Sequence, residues 1–168
     1  MSRFADQVHA YLPHLRRYAR ALTGDVMRAD DLVQDTLERA WIKFHLWQPT
    51  LAMRPWLFAI MHNVFVNQVR AHARREHASI SDEEASKLAV RPNQSDYLEL
   101  NDLIDCLALL PVEQREVLLL VSLEDLSYSE VSQVLRIPVG TVTSRLARAR
   151  TRLRSLLDGE SGALKVVQ

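Results

Sequence analysis

Apolar residues recur along most of the chain at intervals of three and four positions, the spacing that places them on one face of an α-helix. The first stripe predicts a helix that ends at Thr23-Gly24-Asp25, where Gly24 suits a left-handed helix end. The second predicts a helix from about Asp25 to Phe44. We expect the apolar residues of both stripes to face inward: Val8, Leu12, Leu15, Ala19 and Leu22, then Val33, Leu37, Ala40, Trp41 and Phe44.

A third helix is predicted from Pro55, a residue favoured in a first helical turn, to Arg75. It is apolar almost all round and should be mostly buried, apart from one polar stripe made of Asn63, Asn67, Arg70 and Arg74. Buried asparagines need partners, which leaves two alternatives: other protein groups satisfy them, or the stripe binds something polar. The segment before this helix, 45–54, has no period and is predicted to be a loop with Trp47 exposed.

Polar and acidic residues then replace the helical pattern, and it resumes near residue 96. These shifts predict an all-α chain with an N-terminal domain (1–76), a flexible linker (77–95), a second helical domain (96–158) and a flexible tail (159–168). Within the linker, one short helix is possible around Asp82–Leu88. Cys106 lies among leucines, and we interpret it as a small core residue.

The last two predicted helices have the pattern of a helix-turn-helix. Ser127 and Glu130 form a capping-box signature before an apolar face, and Pro138 disfavours continuation of that first helix. The second helix carries a single apolar stripe, and its exposed surface has five arginines and no acid between residues 140 and 157. The alternative for an arginine-rich helix alone is a merely basic surface; the capped helix and short turn before it favour DNA binding. The candidate DNA contacts are Thr141, Ser144, Arg145, Arg148 and Arg152.

Charge and motif content narrow the function further. Residues 1–80 carry 11 Lys/Arg and 7 Asp/Glu, residues 81–135 carry 3 and 12, and residues 136–168 carry 7 and 2, which places basic ends around an acidic middle. No phosphate loop, nucleophile elbow or metal-ligand spacing occurs, which predicts a binding protein without cofactor or metal, not an enzyme. The sequence has neither a signal peptide pattern nor a membrane span, which predicts a cytoplasmic protein.

An acidic group opens the second helix: Asp30, Asp31, Gln34 and Asp35. Acids early in a helix are stabilised by its dipole, so the simplest interpretation is a solvated face, with a protein-docking surface as the alternative.

Three segments, in this order, resemble the extracytoplasmic-function (group 4) sigma factors of bacterial RNA polymerase. They are Asp30–Thr36 (DDLVQDT), Pro55–Leu57 (PWL) with Asn63 and Asn67, and Ile137–Leu146 (IPVGTVTSRL). The resemblance covers about residues 5–157 and implies two helical domains, the second and fourth sigma regions.

The resemblance also implies partners and roles. Asp30, Asp31, Gln34 and Asp35 would dock on the clamp helices of the polymerase's largest subunit, and the second domain would contact the flap. Trp47, Asn63, Asn67, Arg70 and Arg74 would recognise and melt the −10 element, with the loop 45–54 capturing a flipped base. The basic helix would read duplex DNA at the −35 element. An anti-sigma factor is a further expected partner.

The chain departs from the common family pattern at Ser132, Arg136 and Thr143, where alanine, glycine and lysine are usual. A left-handed Arg136 would cost up to ~1 kcal/mol. Two other functions compete with the sigma factor: a helix-turn-helix regulator that binds duplex DNA without replacing a sigma factor, and a sigma-like decoy for an anti-sigma factor.

Overall fold

A computed structural model describes residues 2–48, 52–78 and 95–164. Within these residues the chain forms eight α-helices and no strand, which confirms the all-α prediction. The N-terminal unit contains α1 (Ser2–His9), α2 (Leu12–Thr23), α3 (Val26–Lys43) and α4 (Met53–Ala78). The C-terminal unit contains α5 (Ser95–Ala108), α6 (Val112–Ser122), α7 (Tyr128–Leu135) and α8 (Val139–Leu164). The possible helix at Asp82–Leu88 and most of the predicted linker lie outside the described residues.

Helix ends in the N-terminal unit follow local chemistry. Gly24 ends α2 in a left-handed conformation with φ 69°, as predicted, and the Asp25 carboxylate accepts a 2.7 Å hydrogen bond from the Arg28 N–H at the start of α3. The single helix predicted from the first apolar stripe is wrong in one respect, because the stripe spans both α1 and α2. Pro13, which lacks an N–H donor, lies in the first turn of α2 and starts a new helix after Tyr11.

The buried apolar side chains of both units form one continuous core. In the N-terminal unit, α2 and α4 pack against α3, and the Tyr18 ring meets the Phe58 ring edge-on with centroids 5.1 Å apart. In the C-terminal unit, α6 and α7 pack against α8, and Cys106 is fully buried, as predicted. Trp41 was predicted to face inward and instead is 48% exposed, with one ring edge on Phe4.

The two units also pack directly on each other. Helix α4 contacts α7, while α2 contacts α5 and α6. Helix α8 extends to Leu164, six residues past the predicted end of its domain at residue 158, so the segment 159–164 is helical and not the expected frayed tail. No described helix contains a proline after its first turn, which allows α4 and α8 to run uninterrupted.

Candidate nucleic-acid interface and docking surface

Helices α7 and α8 form the predicted helix-turn-helix. Ser127 and Glu130 make both capping-box hydrogen bonds: the Glu130 N–H donates to the Ser127 hydroxyl at 3.2 Å, and the Ser127 N–H donates to the Glu130 carboxylate at 2.8 Å. Val131 and Val134 are buried against the core. The first helix of the motif is therefore fixed at its start and along its inner face.

The connection between α7 and α8 explains two departures from the family pattern. Arg136 has φ 55° and ψ 47°, the left-handed conformation that glycine adopts without steric cost. The Ser132 hydroxyl donates a 2.6 Å hydrogen bond to the Ile137 carbonyl on the far side of that turn. A serine at this position therefore closes the turn with a bond that alanine could not make.

The outer face of α8 carries the five candidate duplex contacts. Val142, Leu146 and Ala149 are buried, which orients the helix and leaves the opposite surface outward. Arg148 and Arg152 are exposed, whereas Thr141, Ser144 and Arg145 are half-buried. The Ser144 hydroxyl already donates to the Thr141 carbonyl at 3.2 Å. Thr143, the third departure, is exposed, and its hydroxyl donates to the Val139 carbonyl at 3.1 Å.

The polar stripe of α4 lies at the surface. Asn67, Arg70 and Arg74 are exposed, and Asn63 is half-buried with its amide donating to the Ala59 carbonyl at 2.9 Å. Both alternatives for the stripe thus have a place in the structure, because the protein backbone satisfies Asn63 while the other three side chains face solvent. Asn67 and the two arginines are free to meet a polar ligand.

Trp47 is not the exposed aromatic that the loop pattern predicted. Its ring is half-buried and stacks on Phe44 with an interplanar angle of 10° and centroids 5.8 Å apart, and it lies 6.4 Å from the Trp56 ring. Its indole N–H is buried and has no hydrogen-bond partner among the described residues. The two aromatic neighbours come from a short 3₁₀ turn (Phe44–Leu46) and from α4, and they draw the ring inward. Trp47 can offer a base only part of its ring in this conformation.

The acidic group on α3 divides into two kinds of residue. Asp30, Asp31 and Gln34 are exposed, as a docking surface requires. Asp35 is half-buried, and its carboxylate accepts a 2.8 Å hydrogen bond from the Gln68 side-chain amide of α4. The acidic surface is thus joined physically to the helix that bears the polar stripe.

Candidate DNA contacts from the two units meet across a cleft of about 310 Å³ that both Arg70 and Arg145 line, together with His62 and Glu116. A second cleft of about 240 Å³ separates Trp56 and Ala59 of α4 from Glu130 and Gln133 of α7. Arg70 of the polar stripe and Arg145 of α8 thus share one cleft, whereas Arg148 and Arg152 are exposed and do not line it.

A buried polar cluster between the two units was missed by the sequence reasoning. Glu124 is 0% exposed and Glu116 is 4% exposed, and their side-chain partners lie 54 to 110 positions away in the chain. Contacts at such separations leave no local signal. The one available signal was a pair of acids within and after a leucine-rich helix, where a carboxylate requires a partner if it is buried.

Burial in this cluster changes two pKa values. Burial raises the pKa of Tyr18 well above its usual value near 10.0, and the carboxylates Glu116 and Glu124 raise it further. Burial lowers the pKa of Arg115, against the opposing influence of Glu116. The Arg115 guanidinium donates to the Leu22 carbonyl at the end of α2 at 2.7 Å and to the Ala108 and Leu110 carbonyls at 2.7 and 2.9 Å.

The described ranges contain neither a membrane-spanning helix nor a metal-binding cluster. No helix there has the length and apolar character to cross a membrane. No group of three or more His, Cys, Asp or Glu side chains in the same ranges could hold a metal ion.

The chain is similar to known proteins along most of its length. The family model for the Sigma2 domain of PhyR matches residues 8–62, and the model for sigma-70 region 4 matches residues 100–153. The ECF RNA polymerase sigma factor EcfG of Rhodopseudomonas palustris is 39% identical over 152 residues, which cover 90% of this chain and 83% of the relative. The ECF RNA polymerase sigma factor SigM of Bacillus subtilis is 33% identical over 157 residues, covering 91% and 94%.

A solved structure agrees with these matches. The sigma factor RpoE of Bartonella quintana, crystallised in complex with the anti-sigma factor NepR, has a TM-score of 0.84 to this chain. The two share 34% sequence identity, and the match covers 94% of this chain and 98% of RpoE. The chain therefore belongs to the ECF sigma factors of RNA polymerase, as the sequence motifs predict.

Proposed function

We propose that this chain binds core RNA polymerase and directs it to specific promoters, as a binding subunit with no reaction of its own. One observation carries the proposal: an acidic helix surface, a polar stripe and a basic helix-turn-helix occur in sigma-factor order on a sigma-factor fold. Polymerase and promoter DNA are cytoplasmic, and we place the protein there.

The polymerase would dock on α3. Asp30, Asp31 and Gln34 point to solvent, and their acids complement a basic or hydrogen-bonding partner such as the clamp helices of the largest subunit. Asp35 is half-buried, which suits a smaller direct role than that of Asp31. The C-terminal unit would hold the flap.

Promoter DNA would meet two surfaces. Asn67, Arg70 and Arg74 on α4, with Asn63 partly available, would bind the unpaired strand at the −10 element. Trp47 would join them if the loop moved its ring off Phe44. On α8, Arg145, Arg148, Thr141 and Ser144 would contact duplex base edges, and Arg152 would hold phosphate at the −35 element.

An anti-sigma factor would control access to these surfaces. The support is the likeness to RpoE of B. quintana, which was crystallised with the anti-sigma factor NepR. Because this chain has a similar fold over nearly its whole described length, a protein of that kind is the partner we propose.

Reconstituted transcription tests the function directly. Purified chain plus core polymerase should initiate at a subset of promoters from a genomic template, while core alone should not. A helix-turn-helix regulator would instead bind duplex DNA tightly on its own and support no initiation. Tight binding of the chain to duplex DNA, without any initiation by the polymerase, would refute the proposed sigma function.

A sigma-like decoy is the second competitor, because the matched N-terminal model comes from PhyR. A decoy would bind an anti-sigma factor but never the polymerase. Asp31→Arg should weaken core binding by at least tenfold, and Glu38→Arg, the same charge change at another exposed site on α3, should have little effect. Equal effects of the two changes would contradict the docking assignment. Absence of core binding by the unmodified chain would favour the decoy.

A further inference from the structure

Glu124, which follows α6, joins the two units through a fully buried carboxylate. His14 Nδ1 lies 2.9 Å from one carboxylate oxygen, and the Arg54 guanidinium donates to the same oxygen at 2.9 Å. The Arg17 guanidinium donates to the other oxygen at 3.1 and 3.2 Å and to the Leu123 carbonyl at 2.8 Å. All three side chains belong to the N-terminal unit, so the carboxylate of one unit is held entirely by donors from the other.

The tautomer of His14 follows from this geometry. Since a carboxylate only accepts, His14 Nδ1 carries the hydrogen and donates to Glu124. The Arg17 and Arg54 nitrogens 3.3 and 3.4 Å from the same Nδ1 are then neighbours that compete for the carboxylate, not hydrogen-bond donors to the imidazole. Each carboxylate oxygen therefore receives two donors from the N-terminal unit.

A second carboxylate repeats the arrangement nearby. Glu116 on α6 lies with one oxygen 2.6 Å from His62 Nδ1 on α4. The buried Tyr18 phenol is near enough for both carboxylates to raise its pKa, after the larger effect of burial, and the Arg115 guanidinium donates across the interface to the Leu22 carbonyl. The contact between the units thus combines these charged anchoring points with the apolar core that the two units share.

This packing brings together residues assigned to two different promoter elements. Arg70 and Arg145, assigned above to the −10 and −35 elements, line the same 310 Å³ cleft. The −10 and −35 elements are separate segments of a promoter, so one cleft of this size cannot present contacts to both of them. Both elements can be bound only after the units separate.

The chemistry of the interface makes separation possible. Burying an ion pair gains little over leaving both groups in water, because the desolvation cost offsets the attraction. His14, Arg17 and Arg54 keep 37%, 49% and 27% of their side-chain surface exposed, so they can rehydrate as the units part. Removing the Glu124 charge is different, since three donors would then converge on a group that no longer attracts them.

We propose that Glu124 is an intramolecular latch, which holds the C-terminal unit against the N-terminal unit in the unbound chain and keeps Arg70 and Arg145 on one shared cleft. His14, Arg17 and Arg54 are the receiving side of the latch. Its regulatory consequence rests on the proposed sigma function, whereas the closure itself does not.

The test compares Glu124→Gln with Asp125→Asn, the same change of charge at the adjacent exposed position, where asparagine tolerates the φ of 51°. Small-angle X-ray scattering on the free full-length chain measures whether the two units are packed together or separated. The unmodified chain and Asp125→Asn should have a radius of gyration near the ~15 Å of a compact chain of this length. Glu124→Gln should be larger by several ångströms, with unchanged circular dichroism in the helical region.

Arg17→Gln provides a second, independent variant, because Arg17 is half-exposed and lies on the opposite side of the latch. It should also expand the chain. Both latch variants should bind core polymerase several-fold more tightly, since the open fraction of the free chain rises. If the Glu124→Gln chain loses its cooperative melting, it is misfolded and does not report on the latch. The scattering of Arg17→Gln then tests the proposal by itself.

The latch is wrong if the unmodified chain is already extended, or if both variants stay as compact as Asp125→Asn. Expansion of both variants without any core binding by any form would support the latch and refute the proposed sigma function. Scattering does not depend on polymerase, and the two proposals therefore fail separately.

Discussion

The side-chain amide of Gln68 donates a 2.8 Å hydrogen bond to the carboxylate of Asp35. Gln68 lies on α4, between Asn67 and Arg70 of the polar stripe, and Asp35 lies on the acidic surface of α3. A polymerase that pulls on Asp35 would therefore act on the helix that meets the −10 element. This bond joins the two proposed surfaces of the N-terminal unit directly.

Removal of this bond should weaken polymerase docking more than it weakens the fold. Gln68→Ala leaves the half-buried Asp35 carboxylate without its donor, at a cost of about 1 kcal/mol in the free energy of unfolding. Core affinity should fall several-fold, measured by fluorescence anisotropy of the labelled chain. Gln68→Glu, which sets a second carboxylate against Asp35, should have a larger effect of the same sign. Unchanged core affinity in both variants would show that Asp35 docks without this bond.

The left-handed backbone at Arg136 predicts a stabilising change. Glycine adopts φ 55° freely, whereas a residue with a Cβ pays up to ~1 kcal/mol. Arg136→Gly should raise the free energy of unfolding by about 0.5–1 kcal/mol in urea titrations, because the relief of strain exceeds the added flexibility of the unfolded chain. Arg136→Ala, with the Cβ retained, should bring no gain. A gain from alanine equal to that from glycine would locate the effect in the guanidinium charge instead.

Local rules predicted the parts of the structure that depend on neighbouring residues. The left-handed end at Gly24 and the Ser127–Glu130 capping box involve residues at most four positions apart, and both form as expected. The start of α3 after Asp25 follows the same rule. The predicted helix ends were least accurate where a helix continues without a residue that stops it, as α8 does to Leu164.

These local rules could not predict contacts between segments that are far apart in the sequence. Periodicity assigned Trp41 to the core, and the lack of a period in 45–54 predicted an exposed Trp47. Instead Trp41 is 48% exposed with an edge contact to Phe4, and Trp47 stacks half-buried on Phe44. The Glu124 cluster joins residues up to 110 positions apart, and the acids within and after the leucine-rich helix α6 do not by themselves show which distant side chains bind them. The candidate site residues came from helical patterning and their roles from motif resemblance, and the structure supplies their exposure, which separates Asp31 from Asp35.

Burial of Tyr18 predicts a loss of stability in alkaline solution. Its pKa is raised by burial first and by Glu116 and Glu124 next, so the folded chain keeps this proton while the unfolded chain releases it near pH 10.0. The stabilisation from the protonated phenol is full below the unfolded pKa and is lost as the pH rises towards the folded pKa. The slope should approach about −1.4 kcal/mol per pH unit above pH 10.

Tyr18→Phe isolates this effect from other alkaline titrations. Denaturant unfolding at pH 8 to 11 should show the stability difference between the unmodified chain and Tyr18→Phe shifting in favour of the phenylalanine variant as the pH rises. Tyr128→Phe, at a 38% exposed tyrosine of the capped helix α7, is the matched control and should show little pH dependence. Parallel stability curves for the unmodified chain and Tyr18→Phe would mean that the phenol ionises at its usual pH.

The two flanks of α8 should differ in their contribution to promoter binding. Arg148 and Arg154 are both exposed arginines on this helix, but Arg148 shares a flank with Thr141 and Arg145, and Arg154 lies on the other. Arg148→Ala in the reconstituted holoenzyme should weaken binding to a promoter duplex by about 1–3 kcal/mol if it contacts a base edge. A uniform loss across sequences, with the salt slope reduced by about one, would assign it to phosphate instead. Arg154→Ala removes the same charge and should have little effect under the same salt conditions, because its flank faces away from the duplex. Equal losses from both variants would mean that α8 attracts DNA by its overall charge and does not present one face to the groove.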